Sequence, residues 1–215
     1  MANMLTQVPK LSELAAYDVN RSGEFEGIKK SYYDFQTYAQ AGQTSLNFFQ
    51  VPVGQSSKTL ADTNMQIAGS LPNPIRFLIQ DVQVFIFPAG DLAQYGAQAV
   101  AENVNDVYDF AKSGYLELNI GSKLYIQEGP LGRFPPANGL TVAAALADAT
   151  TAGATMQSRV SYANTAGRVW LMQPQILLQP TQNFRISLLW PTAVALSAAA
   201  RVGVVMSGIE YRQSQ

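Results

Sequence analysis

Apolar and polar positions alternate with a period of two along much of the chain, the pattern of half-buried β-strands. In the stretch "IRFLIQDVQVFIF" the apolar residues occupy every second position up to Gln80 and take the opposite parity after Asp81. Because a slip of one residue moves a strand's apolar face to the other side, we expect a β-bulge or a bend at Gln80–Asp81. Further strands are predicted at 31–38, 45–53, 115–120, 124–127, 168–180, 183–191 and 201–213.

One long segment has helical spacing instead. In "DLAQYGAQAVAENVNDVYDFAKSG" the apolar residues recur every three or four positions. Asp91 is a suitable N-cap, and Gly114 stands where a C-cap belongs. The pattern predicts an α-helix at about 91–113. A second, short helix is expected at 142–149, within an Ala- and Thr-rich segment of weak periodicity.

The most apolar stretch, "LLWPTAVALSAAARVGVVM" (188–206), contains a single charge, Arg201. A membrane-spanning helix needs about twenty apolar residues, and here Pro191 and Arg201 interrupt the run while both flanks alternate with a period of two. The stretch therefore predicts two strands joined by the small-residue loop "TAVALSAAA". Since an apolar loop is poorly suited to solvent, we expect another subunit to cover it.

The number and order of these elements predict the fold class. About eight short strands with proline-rich loops and one inserted helix favour an all-β fold, an antiparallel β-sandwich of single jelly-roll type. We interpret residues 23–215 as this single domain and residues 1–22 as an N-terminal arm with scattered apolar positions. The N-terminus lacks the basic and apolar regions of a secretion signal.

The composition is unusual in its low charge. Only 13% of the residues are charged, against roughly 25% in typical domains, and nineteen are glutamine. A monomer usually keeps itself in solution with a charged surface, so an amide-rich exterior suggests that neighbouring subunits cover much of it. The net charge of −1 argues against a general basic field for nucleic acid.

Catalytic chemistry has few candidates here. The chain has no histidine and no cysteine, which excludes Ser–His–Asp triads, Cys nucleophiles and imidazole or thiolate metal sites. A pair of carboxylates could still serve glycoside hydrolysis, although such pairs are more often solvated surface groups. The candidates are Glu102, Asp106, Asp109, Glu117 and Glu128. We predict no catalytic, cofactor-binding or metal-binding residue and no cofactor.

Three arginines lie within or beside predicted strands: Arg76, Arg185 and Arg212. We expect them to protect edge strands or to pair with Asp81 and Glu210, with pairing between subunits as the alternative.

Six aromatic residues could form a sugar-stacking surface, but adjacent residues of a strand point to opposite faces, so about half of them should belong to the core. They are Tyr32, Tyr33, Phe48, Phe49, Phe85 and Phe87.

With the strands in this order, the chain resembles bacteriophage jelly-roll capsid proteins. The resemblance lies in "LPNPIRFLIQDVQVFIFP", in the helix at 91–112 between strands, and in the ending "NFRISLLWP…RVGVVMSGIEYRQ". It implies self-assembly into a shell, an arm that reaches a neighbour, and no catalysis.

The function expected from these observations is that of a virion structural protein, a self-assembling coat subunit without enzymatic activity, located in the virion after assembly in the host cytoplasm. Its expected partners are copies of itself, as a trimer or larger shell, and other virion proteins, with no sequence-specific nucleic acid and no transmembrane segment. The alternative is a receptor- or carbohydrate-binding β-sandwich of a viral spike or adhesin. The candidate interface residues are Leu5, Val8, Leu11, Leu14, Ala195, Leu196, Ala198, Ala199 and Arg201.

Overall fold

The structure is a computed structural model and describes residues 25–88, 97–136, 138–141, 145–146, 158–159, 163–166 and 169–213. The described residues form twelve strands, one α-helix and a short 3₁₀ helix. Their bounds are β1 (Phe25–Tyr38), β2 (Ser45–Phe48), β3 (Arg76–Phe87), α1 (Ala97–Ser113), β4 (Tyr115–Ile120), β5 (Lys123–Glu128), the 3₁₀ helix (Leu131–Arg133), β6 (Asn138–Thr141), β7 (Ala145–Leu146), β8 (Ser158–Arg159), β9 (Ala163–Ala166), β10 (Trp170–Leu178), β11 (Phe184–Leu189) and β12 (Ala200–Gln213).

Eight of these strands make two antiparallel sheets of four. Sheet I has the order β1-β12-β3-β10, and Sheet II has the order β2-β11-β4-β5. The predicted all-β antiparallel architecture with a helix between strands is thus confirmed. Two small two-stranded sheets, β6-β9 and β7-β8, complete the described strands. The prediction of a short helix at 142–149 is wrong at Ala145–Leu146, which form strand β7 and pair with β8. The local sequence of that segment favours neither helix nor strand strongly, so the pairing with β8 decides its structure.

The core lies between the two sheets. Val204 on β12 is opposite Val84 on β3 in Sheet I, and Ile186 on β11 is opposite Leu118 on β4 in Sheet II. All four belong to one continuous cluster of buried side chains. The alternating residues of each strand face away from this cluster, as the period of two predicts.

The expected irregularity in β3 is present. Ser207 pairs with Asp81 and the next residue, Gly208, pairs with Ile79, so Gln80 is the extra residue of a β-bulge. Because of the bulge, the apolar residues of β3 face the core both before and after the change of parity. Ile79 and Val82, on either side of it, are both fully buried. The prediction of a bulge at Gln80–Asp81 is confirmed.

Helix α1 packs against the sandwich through Phe110. The Phe110 ring lies 5.4 Å from Tyr38 and 4.9 Å from Trp190 between ring centroids, and the Trp190 indole N–H donates a 3.2 Å hydrogen bond to the Phe110 carbonyl. Gly114 follows the last helical residue, as predicted, and a Cβ there would lie 2.5 Å from Trp190 Nε1. The predicted beginning of the helix, 91–96, lies outside the described residues.

A loop covers part of the outer edge of β1. The Phe35 N–H donates to the Asp62 carbonyl at 2.7 Å, and Asp34 and Thr63 form a β-bridge. The Asp34 carboxylate is buried, accepts the Phe49 N–H at 2.7 Å and forms an ion pair with Lys58. These contacts fix the loop to the strand.

Residues 188–206 form the end of β11, a loop and the start of β12, as predicted. Nowhere in the described ranges is a helix long and apolar enough to cross a membrane.

Candidate functional site

The alanine-rich loop between β11 and β12 is held against α1 by one carboxylate. The Asp106 oxygens accept the Ser197 backbone N–H at 3.0 and 3.1 Å and also its hydroxyl group. Asp106 is only 8% exposed. On the other side of the loop, the Leu196 N–H donates to the Gln40 carbonyl at 2.9 Å. The loop therefore has a fixed shape.

The candidate interface residues of this loop differ in their surroundings. Leu196 is buried in the sandwich core, Ala198 is half-buried, and Ala195 and Ala199 are exposed. Internal packing therefore explains only part of the apolar character of "TAVALSAAA", because Ala195 and Ala199 face outward. The arm residues Leu5, Val8, Leu11 and Leu14 lie outside the described residues.

Arg201, the single charge of the stretch, lies on the outer face of Sheet I. Its guanidinium group lies 4.9 Å from the centre of the Phe35 ring and donates to the Ala61 carbonyl at 2.6 Å and to Asp62 at 3.0 Å. It connects the sheet to the loop that covers β1.

The candidate catalytic carboxylates whose side chains the structure describes form separate contacts and are not gathered into one site. Beyond Asp106, Asp109 pairs with Lys112 at 2.5 Å and Glu128 pairs with Arg133 at 2.6 Å, both at the surface. Glu117 accepts a 2.9 Å hydrogen bond from Gln127. The Glu102 side chain lies outside the described residues. Among the described side chains, no group of three or more acidic residues could hold a metal ion.

An apolar groove lies between the end of β3, helix α1 and the loop that follows the 3₁₀ helix. It has a volume of about 410 Å³, and its walls include Phe85, Phe87, Tyr108, Ala111 and Pro135. Tyr108 is 64% exposed and Phe87 is 41% exposed. Sequence analysis did not identify this groove, because it depends on three segments that are distant along the chain.

The groove continues into a cluster of rings on the outer face of Sheet I, which we call the aromatic patch (Phe35, Phe85 and Phe87). The three ring centroids are 6.0–6.1 Å apart. Phe35 lies over Gly203, where a Cβ would be 2.1 Å from the ring. Phe87 is exposed, and Phe35 and Phe85 are half-buried.

Half of the six aromatic candidates are core residues, as expected. Tyr32, Phe48 and Phe49 are buried, while Tyr33, Phe85 and Phe87 are partly or largely exposed. The adjacent pair Phe48–Phe49 does not follow the alternation, because β2 ends at Phe48 and Phe49 has a φ of 67° that turns its ring inward.

The predicted pairing of arginines with Asp81 and Glu210 is wrong for Glu210. Glu210 is buried and pairs with Lys30 at 2.6 Å, and it accepts a 2.5 Å hydrogen bond from the Tyr32 hydroxyl. Burial, together with that carboxylate, raises the pKa of Tyr32 above its ordinary range. Arg212 instead pairs with Glu26 at 2.5 Å.

Arg185 is not on an edge strand, because β11 lies between β2 and β4 in Sheet II. Its neighbours Phe184 and Ile186 are buried in the core, so Arg185 faces outward, where it is opposite Asn119 of β4.

A polar pocket surrounds Arg185 at one end of Sheet II. It has a volume of about 440 Å³ and is lined by Gln50, Asn119, Ser122, Asn183 and Arg185, with the glycines of two turns. Its position depends on the cross-strand register of β11 and β4. No local sequence pattern predicts that register.

In comparisons with known proteins, no family model, no curated protein and no solved structure matches this chain.

Proposed function

We propose that the two sheets form a single jelly roll. Numbered one to eight along the chain, the eight strands of the two sheets lie in the orders 1-8-3-6 and 2-7-4-5. Strand 1 is therefore beside strand 8, 2 beside 7, 3 beside 6 and 4 beside 5. This arrangement is that of one long hairpin rolled into two sheets, and the double-sheet jelly roll with two Greek keys has this form.

The chain serves, in this proposal, as a self-assembling coat subunit of a virion. The strand order is the observation that carries it, since jelly rolls of eight strands are a frequent fold of viral capsid domains. Lectins share the fold, so two further features favour the coat subunit. The chain has 13% charged residues, and its described surface carries an apolar groove beside the aromatic patch.

The groove and the alanine-rich loop supply contacts between copies. Exposed Phe87 and Tyr108 bury apolar area when a neighbour covers the groove, and each Å² removed from water contributes roughly 25 cal/mol. Exposed Ala195 and Ala199 allow close approach of a second backbone. The neighbour is another copy of the chain or another virion protein, and assembly takes place in the host cytoplasm.

The role is structural and has no catalytic step. In support of this part of the proposal, each candidate carboxylate with a described side chain forms a hydrogen bond or an ion pair within its own chain.

Light scattering across a concentration series tests the proposal. The wild-type chain should form trimers, pentamers, hexamers or larger particles, whereas the double variant Phe87→Glu, Tyr108→Glu should remain at the monomer mass of 23.3 kDa. A charge placed in a dry contact has no partner and opposes association. Leu60→Glu is the matched control, because Leu60 is an exposed apolar residue (67%) outside the groove.

A wild-type chain that stays monomeric at high concentration would contradict the proposal. Equal assembly of the groove variant and the Leu60→Glu control would show that the groove is not the contact surface.

A further inference from the structure

We infer that the polar pocket binds the carboxylate group of an acidic saccharide, with Arg185 as its anchor. The inference goes beyond the proposed coat function and does not depend on it, since the pocket lies within one copy of the chain.

Arg185 is available to a ligand. Arg133, Arg201 and Arg212 each form an ion pair with a carboxylate. Arg185 is exposed and has no carboxylate partner among the described residues. Its guanidinium group is the sole charge among the described residues that line the pocket, so an incoming anion meets no repelling group among them.

The walls of the pocket are held together by main-chain hydrogen bonds. The Gly121 N–H donates to the Asn183 carbonyl at 2.7 Å, and the Phe184 N–H donates to the Gly69 carbonyl at 2.7 Å. A side-chain hydrogen bond adds to these, since Nε2 of Gln50 donates to the Phe184 carbonyl at 3.1 Å. Three segments from different parts of the chain are thereby fixed around the start of β11, and a preformed site loses less entropy when it binds a ligand.

The glycines at the turns keep the pocket open. Gly121 has a φ of +58°, which suits glycine, and nothing lies within 4 Å of the position that a Cβ would take. This space borders Ser122 and Asn119 on the same side of Sheet II.

The chemistry of the lining selects the ligand class. A guanidinium group binds a carboxylate with two parallel hydrogen bonds. The side-chain amides of Asn119 and Asn183 and the hydroxyl of Ser122 both donate and accept hydrogen bonds, as sugar hydroxyl groups require. The Gln50 amide N–H₂ group donates to the Phe48 and Phe184 carbonyls, so its oxygen is the atom that faces a ligand as an acceptor. A volume of about 440 Å³ lies within the range of about 300–1,000 Å³ for small-ligand sites. Nucleic acid and phosphate-rich ligands would need more than one cation.

Titration of the full-length chain with sodium glucuronate, followed by NMR chemical shifts, tests the inference. Glucose is the neutral analogue and acetate is the bare carboxylate. We expect saturable binding of glucuronate at millimolar concentration, with weaker binding of both analogues. Arg185→Gln should weaken glucuronate binding about tenfold or more, because it removes hydrogen bonds to a charged group. Arg185→Lys should give an intermediate loss, since an ammonium group lacks the fork geometry.

Arg133→Gln is the control, because Arg133 is an exposed arginine outside the pocket, and it should bind glucuronate as the wild type does. The exposed position of Arg185 predicts unchanged melting temperatures for its variants, so a loss of binding would not reflect unfolding. Absence of saturable binding, or equal glucuronate binding by wild type and Arg185→Gln, would overturn the inference. Binding of glucose or acetate as tight as that of glucuronate would overturn the assignment to an acidic saccharide.

Discussion

Gly208 lies directly against the carbonyl group of Leu78, where β12 passes the bulge in β3. A Cβ at position 208 would be 1.9 Å from the Leu78 oxygen and 3.2 Å from the Gln80 nitrogen. Both atoms belong to the main chain of a central strand, so neither can move without disturbing the ladder. The bulge and this glycine form one structural unit.

Gly208→Ala should therefore lower the free energy of unfolding by about 1–3 kcal/mol or more, because overpacking in a buried site forces the backbone to shift. Urea denaturation measures the change. Gly132→Ala is the control, since nothing lies within 4 Å of a Cβ at that position, and it should stay within about 0.5 kcal/mol of the wild type. Similar small effects of both substitutions would show that the backbone around position 208 accommodates a Cβ without strain.

The bulge itself could be predicted from the sequence, but its partner could not. The change of apolar parity at Gln80–Asp81 is a local signal and identified the extra residue. The requirement for glycine at position 208 arises from pairing with a strand more than a hundred residues away in the chain. Local patterns predict which residues face the core, whereas the neighbours of each strand follow from the whole topology.

Asp106 should contribute to stability through Ser197. Asp106→Ala removes a buried carboxylate that accepts from the backbone N–H and the hydroxyl group of Ser197 in a partly buried contact. We expect the free energy of unfolding to fall by about 2–3 kcal/mol, measured in urea. Asp109→Ala, three residues further on the helix, removes only a surface ion pair with Lys112 and should cost less than about 1 kcal/mol. Equal losses would contradict the role assigned to Asp106.

The same residue illustrates why the site was harder to predict than the fold. In the sequence, Asp106 and Asp109 are two of the candidate catalytic carboxylates, three positions apart in the predicted helix. In the structure, Asp106 faces Ser197, 91 positions away, while Asp109 faces Lys112 at the surface. Which of the two carboxylates is buried depends on the loop that packs over the helix. The sequence of the helix alone does not indicate where that loop lies.

Asp81 should make the fold less stable as the pH rises. Burial raises the pKa of the Asp81 carboxyl above its ordinary value of 3.8, against hydrogen bonds from Gln83 and Ser207 and the charge of Lys29. The folded chain thus keeps this proton to higher pH than the unfolded chain, and stability falls from about pH 4 up through the raised pKa. Asp81→Asn removes this loss, so its melting temperature relative to wild type should increase with pH. A difference that is constant between pH 3 and pH 7 would contradict the assignment.

Asp62 should have the opposite effect on the pH dependence of stability. The backbone N–H and the hydroxyl of Thr59 hold the pKa of Asp62 below 3.8, with a further contribution from Arg201. Its contribution to stability is therefore present above about pH 4 and is lost as the pH falls through the lowered pKa. The melting temperature of Asp62→Asn should lie below that of wild type at pH 6, and the two should converge towards pH 2. A difference in melting temperature between Asp62→Asn and wild type that is the same at every pH would show that the Thr59 contacts do not favour the ionised form.

Under the proposed coat function, the alanine-rich loop is one of the surfaces that meet between copies. Ala195→Glu together with Ala199→Glu changes two exposed residues, so the monomer should keep its melting temperature within the range of surface substitutions. Association should nevertheless weaken, because two unpaired carboxylates would enter a contact between subunits. Light scattering measures the assembled mass, and thermal unfolding of the same samples measures the fold. Leu196→Glu provides the contrast, because Leu196 is 5% exposed within the core and its substitution should lower the melting temperature itself. Unchanged particles from the double alanine variant would show that the outer side of this loop is not part of the contact between copies.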